Sequence, residues 1–145
     1  MSQLAERAAA AGTPIQGLMQ DYPLTLHHIF WRIERLFGDK EVVTKRETGV
    51  HRYTYADLVR RVYRLANALQ RLGVRPGDRV GTLAWNNQRH FELYFAIPCM
   101  GAVLHTLNIR LFEEQLTYIV NHAEDRVIFV DDSLVPVLEK LSQST

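Results

Sequence analysis

The sequence has a single cysteine, Cys99, and it lies in an apolar run. One thiol cannot form an intramolecular disulfide, which excludes the small secreted folds that disulfides hold together and favours a reducing, cytoplasmic compartment. The sequence also lacks an apolar run long enough to cross a bilayer, so no transmembrane segment is expected. Its first residues lack the basic start and continuous apolar stretch that a secretory signal requires.

An excess of charge of either sign is also missing. The chain has 17 Lys and Arg against 16 Asp and Glu, a formal net charge of +1 over 145 residues. Such a balance provides no field that attracts nucleic acid or an anionic membrane. An apolar content of 47% with 23% charged residues is typical of one globular domain with a real core.

Glycine is too sparsely placed for a phosphate-binding loop. Gly73, Gly77 and Gly81 are spaced by four, and they fall in a helix stop, a turn and a strand. The sequence has neither G-x-G-x-x-G nor G-x-x-x-x-G-K-[ST], the patterns that let backbone amides converge on an anion. It has no G-x-S-x-G nucleophile elbow. A self-contained nucleotide site and a hydrolase triad are therefore unsupported, and a generic Rossmann-like domain would lack its glycine fingerprint.

Metal-ligand spacing is absent too. The six histidines are His27, His28, His51, His90, His105 and His122. No pair of them has zinc-type spacing with a cysteine or carboxylate, so no metal site is predicted. The pair His27-His28 matches the opening of an acyl-transfer H-H-x-x-x-D motif, but Arg32 occupies the aspartate position.

What the sequence does contain is an alternation of apolar strands and amphipathic helices. Strands are predicted over residues 79–85, 102–107 and 126–130, and helices over 88–100 and 112–122. Short connections between them indicate an α/β fold with a mostly parallel sheet, flanking helices and right-handed crossovers. Pro98 is expected to end or kink its helix early. Asp131, Asp132 and Ser133 are expected to cap a last helix that reaches Leu141.

The segment before this alternation contains a further helix and a hairpin. Residues 1–22 are predicted to be a flexible lead-in. The apolar spacing then predicts a helix from Leu26 to Phe37, stopped by Gly38. Short strands over residues 41–45 and 50–53 flank Thr48 and Gly49, a plausible hairpin turn.

The clearest helix is predicted from Thr54 to Leu72. Thr54 can cap its start, and Asp57 places negative charge against the first-turn amides. One apolar stripe is formed by Leu58, Val62, Leu65, Leu69 and Leu72. Four arginines lie off that stripe: Arg60, Arg61, Arg64 and Arg71. A solvated face is the better interpretation of these arginines than a nucleic-acid surface, given the neutral balance.

A candidate ligand-binding loop follows the second strand, at Asn108, Ile109 and Arg110. Ligands in open α/β sheets usually bind beyond the carboxyl ends of the strands. An arginine there can form a fork to a phosphate or carboxylate. The alternative is that Arg110 pairs with Glu113 or Glu114 as an ordinary loop residue.

At this point several segments resemble motifs of the AMP-forming acyl-CoA synthetases, a branch of the adenylate-forming enzymes. The segments are residues 53–58 (YTYADL, similar to L-T-Y-x-E-L), 77–80 (GDRV, similar to G-D-R-V) and 101–111 (GAVLHTLNIRL, similar to G-A-V-x-x-x-x-N-x-R-L). They occur in the family's order within residues 24–141. The run HTLNIRL is most similar to medium- and long-chain fatty acid–CoA ligases.

The resemblance implies that residues 23–145 are part of an AMP-binding domain, the N-terminal portion of the synthetase large domain. Such an enzyme joins a fatty acid to ATP as an acyl-adenylate with release of pyrophosphate, and CoA then displaces AMP. It uses ATP, CoA and Mg²⁺. In some relatives the arginine that corresponds to Arg110 approaches the CoA phosphates, so Arg110 is the predicted cofactor-binding residue.

The family's phosphate loop, which ends in Pro-Lys-Gly, does not occur in this sequence, and neither does its C-terminal catalytic lysine. No catalytic residue is therefore predicted here. The expectation is a fragment of a fatty acid–CoA ligase that is inactive alone, binds no cofactor tightly and has the remainder of the synthetase as its partner. A homodimer stays open. The alternative is a non-catalytic α/β interaction module or a split-enzyme subunit.

Overall fold

The computed structural model describes residues 22–143. All but the last residue of the predicted lead-in, residues 1–22, lies outside that range. The helices are α1 (Leu26–Leu36), α2 (Tyr55–Arg71), α3 (Gln88–Cys99), α4 (Glu113–Ala123) and α5 (Val135–Gln143). The strands are β1 (Glu41–Arg46), β2 (Gly49–Thr54), β3 (Arg79–Leu83), β4 (Val103–Thr106) and β5 (Val127–Val130).

Three parallel strands form the sheet that organises the described residues, in the order β4–β3–β5. Val80 of β3 is level with Leu104 on one side and with Val127 on the other. The predicted α/β class, with a parallel sheet and flanking helices, is confirmed. β4 is an edge strand in the described sheet, and its Val103 is half exposed rather than buried.

Helices cover both faces of this sheet. Successive side chains of β3 point to opposite faces, so they contribute to two separate cores. Val80 packs with Leu93 and Ile97 of α3 in the larger core, to which α1 and α2 also contribute. Leu83 packs with Leu116 of α4 in the smaller core. The buried residues of the smaller core are Leu83, Leu107, Leu116, Leu134 and Leu141.

The antiparallel hairpin β1–β2 leads directly into α2, as predicted. Its turn is at Glu47 and Thr48, one residue earlier than expected, since Arg46 already pairs with Gly49. The helix begins with a complete capping box: Thr54 Oγ1 accepts from the Asp57 amide at 3.2 Å, and Asp57 accepts from the Thr54 amide at 3.1 Å. Only the end of the predicted apolar stripe is wrong, since Leu72 follows the helix and is 63% exposed.

Two other expectations about helix ends have different outcomes. Pro98 lies one residue before the end of α3, so the helix does stop there. The predicted cap of the last helix is wrong: a short 3₁₀ turn, Asp132–Leu134, precedes α5, and Asp131 makes no side-chain capping bond to it. The Asp131 carboxylate instead bonds across to the end of β3.

Within residues 22–143, every helix is too short or too polar to span a bilayer.

Candidate functional site at the carboxyl edge of the sheet

The carboxyl ends of the three parallel strands meet at one edge, where the connecting loops project. Backbone bonds continue the sheet into two of these loops: the Leu107 amide donates to the Thr82 carbonyl at 2.9 Å, and the Asp131 amide donates to the Leu83 carbonyl at 3.1 Å. The loop positions are therefore set by the strands themselves. This is the edge at which open α/β sheets bind ligands.

Asp131 joins the loop after β5 to the loop after β3. Its Oδ2 accepts from the Trp85 amide and from Asn87 Nδ2, both at 2.8 Å. The Trp85 indole Nε1 donates to Ser133 Oγ at 2.9 Å, and so ties the same two loops a second time. These residues are more than 40 positions apart in the chain, and no local pattern could have predicted the network.

Asn87 also starts α3. Its Oδ1 accepts from the amides of Arg89 and His90, each at 3.0 Å, which satisfies two of the helix's first N–H groups. One asparagine thus caps α3 with its oxygen and bonds Asp131 with its nitrogen. Asn86 and Asn87 lie between the predicted strand over residues 79–85 and the predicted helix over residues 88–100, and the sequence predicted no role for them.

Arg110, the predicted cofactor-binding residue, lies in the loop after β4. Its amide donates to Asn108 Oδ1 at 3.0 Å, and its side chain is exposed. Arg110 therefore lies in a loop beyond the carboxyl end of β4, at the same edge of the sheet as the loops after β3 and β5.

A cleft of about 550 Å³ separates the hairpin turn from the loops after β3 and β5. Lys45, Arg46 and Arg89 line it, and so do Glu47, Asp131 and Asp132. Three cations and three anions leave this cleft without a preferred sign of ligand. The described residues contain no cluster of His, Cys, Asp or Glu side chains that could hold a metal ion.

His105, which is partly exposed, pairs with the buried carboxylate of Asp125 on the face of the sheet that α4 covers. His105 Nδ1 lies 2.8 Å from Asp125 Oδ2, and the Asp125 side chain is fully buried. The pair spans β3 at Gly81, where a Cβ would come within 3.1 Å of the Asp125 carboxylate. A glycine on β3 is what lets the carboxylate pack against the strand.

A second buried carboxylate, Glu92 of α3, joins three elements. Glu92 Oε1 accepts from Arg61 Nε at 2.7 Å and from the Tyr53 hydroxyl at 3.2 Å. Burial, with the neighbouring Glu92 carboxylate, raises the pKa of Tyr53. Arg61 is half exposed, as expected of a solvated helix face, but its guanidinium also pairs with this buried carboxylate. Glu92 is 31 residues away in the chain, and nothing local to α2 predicts this pairing.

Residues 30–145 match the model of a protein family described as AMP-binding enzyme. A long-chain fatty acid–CoA ligase of Thermus thermophilus is 51% identical over 124 residues, which is 85% of this chain and 23% of the relative. A medium-chain fatty acid–CoA ligase of Ectopseudomonas oleovorans is 40% identical over 129 residues, 88% of this chain and 24% of the relative. The chain therefore spans about a quarter of the length of the curated relatives it matches.

Solved structures of CoA ligases have the same fold over this region. An anthranilate CoA ligase in complex with anthranoyl-AMP matches 86% of this chain with a TM-score of 0.76 and 25% identity, over 24% of its own length. A benzoate CoA ligase from Burkholderia xenovorans matches 85% of the chain with a TM-score of 0.73 and 22% identity, over 24% of its own length.

Proposed function

This chain belongs to the AMP-binding enzyme family, and on that premise we propose that it is the N-terminal portion of a medium- or long-chain fatty acid–CoA ligase. The 51% identity to a long-chain fatty acid–CoA ligase over 85% of the chain is the observation that carries the proposal. The chain is homologous to long- and medium-chain fatty acid–CoA ligases.

The complete enzyme would activate a fatty acid in two steps. A carboxylate oxygen attacks the α-phosphorus of ATP, which forms the acyl-adenylate and releases pyrophosphate. The CoA thiol then attacks the acyl carbon, forms the thioester and releases AMP. Mg²⁺, when bound, offsets the developing phosphate charge, and we assign it no ligands among residues 22–143.

Within this reaction the described residues supply a scaffold and one candidate contact. The sheet fixes the carboxyl-edge loops through the bonds of Asp131 and Asn87. Arg110 projects from that edge, and its guanidinium can bind a CoA phosphate as a planar fork. The anions of CoA fit an exposed arginine better than they fit the charge-balanced cleft at the hairpin turn.

The Arg110 assignment is tested with CoA and dephospho-CoA, which lacks the 3′-phosphate, on the protein encoded by the whole reading frame. We expect the parent to bind CoA more tightly, and Arg110→Ala to remove most of that preference, with a roughly tenfold loss in CoA affinity. Arg126→Ala, at the opposite edge of the sheet, is the control and should keep the preference. An Arg110→Ala protein that still distinguishes the two ligands contradicts the assignment.

A second experiment concerns the 145-residue chain itself. We expect it to release no pyrophosphate from ATP with a fatty acid present, because the family's phosphate loop and catalytic lysine do not occur in its sequence. Turnover by the purified chain would refute this.

Reading the gene downstream separates the two interpretations of the chain. A continuing frame that encodes the phosphate loop supports the ligase portion, whereas a stop codon and a separate catalytic partner support the interaction module.

A further inference from the structure

The outer sides of α1 and α2 have an excess of positive charge that the total charge of the chain conceals. Together the two helices contain six arginines against two acidic residues, Glu34 and Asp57. Helices α4 and α5, which pack around the smaller core, contain three glutamates against one lysine. The net charge of +1 therefore averages two sides of opposite sign, and the α1–α2 side alone has a field that attracts anions.

Three of these arginines form a line along the exposed side of α2. The buried side of the helix is marked by residues at intervals of four and seven: Leu58, Val62 and Leu69. Exposed arginines repeat those intervals two residues later in the chain: Arg60, Arg64 and Arg71. Two residues turn a helix by about 200°, so the arginine line lies opposite the buried side and is about 16 Å long. Asp57, at the amino end of the line, pairs with Arg60.

Helix α1 lies beside α2 and widens this basic surface. The Phe30 ring of α1 packs edge-on against the Tyr63 ring of α2, with 5.6 Å between the ring centroids. On α1, Arg32 and Arg35 are exposed, whereas Phe30 and Ile33 are buried. The exposed arginines of the two helices, apart from the one paired with Glu92, make up what we call the basic face: Arg32, Arg35, Arg60, Arg64 and Arg71.

Apolar side chains are interspersed with the arginines of the basic face. Trp31 and Leu36 of α1 are 51% and 59% exposed, and the Arg35 guanidinium lies 5.9 Å from the centroid of the Trp31 ring. An exposed tryptophan and leucine beside arginines are typical of a surface that meets the headgroup region of a bilayer, because that region offers phosphates and apolar chains together. Nucleic acid offers phosphates but no apolar region for Leu36.

We propose that the basic face docks on the surface of a bilayer that contains anionic lipids. Its arginines bind lipid phosphates as planar forks, while Trp31 and Leu36 enter the headgroup region. The acidic helices α4 and α5 lie on the other side of the sheet, so the negative surface repels them and fixes the orientation of the docked molecule. This docking needs only the charges and exposed side chains of α1 and α2, and not the ligase reaction.

Co-sedimentation with lipid vesicles tests this on the protein encoded by the whole reading frame. Phosphatidylcholine vesicles with about 30% phosphatidylserine should bind the protein at least about tenfold more tightly than vesicles of phosphatidylcholine alone. Raising the NaCl concentration from about 0.05 M to about 0.5 M should remove most of this binding, because salt screens the contact between arginines and phosphates. Equal binding to the two kinds of vesicle, or no binding to either, would overturn the proposal.

Charge reversal locates the contact. Arg64→Glu/Arg71→Glu should weaken binding to the anionic vesicles at least about tenfold. Lys45→Glu/Arg89→Glu changes the net charge equally, but at the cleft beside the hairpin turn, and should weaken binding less than about threefold. Equal losses in the two double variants would show that only net charge matters and would overturn the proposal. If a variant does not fold, the lipid and salt series on the unaltered protein still decides.

Other polyanions separate a bilayer from nucleic acid and from an acidic protein. Duplex DNA and polyglutamate carry negative charge without an apolar region, and each should bind at least about tenfold more weakly than anionic vesicles at equal charge concentration. Trp31→Ser should weaken vesicle binding about fivefold and leave the weak binding of polyglutamate unchanged. Binding of either polymer as tight as that of the vesicles would assign the basic face to another kind of partner and overturn the proposal.

Discussion

Among the described residues, the carboxylates of Glu92 and Asp125 are buried, and each has a cationic or ionisable partner that offsets part of the cost of burial. Glu92 has 6% of its side chain exposed and depends on Arg61, while Asp125 is fully buried and depends on His105. A buried charge that loses its partner costs far more than an exposed pair contributes. We therefore expect substitutions of Arg61 and His105 to affect stability more than substitutions of exposed charged residues.

The Arg61–Glu92 pair predicts an asymmetry between arginines on one helix. Arg61→Ala should lower the free energy of unfolding by about 1–3 kcal/mol, because it leaves Glu92 buried with only the Tyr53 hydroxyl as a partner. The loss is no larger because the Arg61 side chain is half exposed. Urea denaturation measures this. Arg64→Ala, one turn along α2 on its exposed side, is the control, with a change below about 0.5 kcal/mol. Equal effects at the two positions would show that Glu92 does not need Arg61.

His90 predicts a pH dependence of stability. Burial lowers its pKa from the ordinary 6.5, so the folded protein binds this proton less readily than the unfolded chain does. Stability is therefore complete above pH 6.5 and should fall as the pH is lowered below that value. Unfolding measured from pH 7.5 to pH 5.5 should show the loss in the parent and a smaller one in His90→Gln. His27→Gln, on the exposed side of α1, should behave like the parent; an unchanged slope in His90→Gln would contradict the assignment.

At the scale of elements, local sequence determined most of what is observed. The apolar periods predicted α1, α2 and the three parallel strands, and the turn residues predicted the hairpin. Asp131 shows where this reasoning stops: its position suggested a helix cap, yet its carboxylate bonds Trp85 and Asn87, 44 or more residues earlier. Capping preference is a local property of the sequence, whereas the hydrogen-bond partners of Asp131 depend on β3 and β5 lying side by side.

Two threonines at helix starts provide a matched pair. Thr54 caps α2 through its hydroxyl, whereas Thr25 has the same position before α1 and makes no capping bond. Thr54→Ala should therefore cost about 1 kcal/mol of stability, and Thr25→Ala only a few tenths. Thermal unfolding followed by circular dichroism compares them. Similar losses in both variants would mean that threonine acts at these sites by backbone preference and not by its hydrogen bond.

For the whole molecule, the sequence predicted the family and the sheet but not the candidate site's connections. The motifs around Gly77 and Gly101 are contiguous, so they could be recognised in the linear sequence. The pairs Arg61–Glu92 and His105–Asp125 are not contiguous, and they depend on how the helices pack. Arg110 remains a prediction, because its proposed ligand is not among the contacts that the structure describes.

Apolar surface predicts how the 145-residue chain behaves alone. Phe112 and Tyr118 on or beside α4 are 80% and 66% exposed, and β4 and β5 each have one edge unpaired in the described sheet. Such surfaces favour association. Analytical ultracentrifugation should therefore show concentration-dependent oligomers.

The double variant Phe112→Ser/Tyr118→Ser should weaken this self-association roughly tenfold or more, since it removes two large exposed apolar side chains from that side. Leu72→Ser, an isolated exposed residue after α2, should change it little. A parent chain that stays monomeric at high concentration would refute the prediction.

The central place of β3 also bears on the order in which the chain is made. β3 leaves the ribosome before either strand that pairs with it, since β4 and β5 both follow it in the sequence. By then the hairpin, α1 and α2 have been synthesised, and α3 follows before β4 does. The nascent chain can thus assemble its helical side first and add one strand to each flank of β3 as translation proceeds.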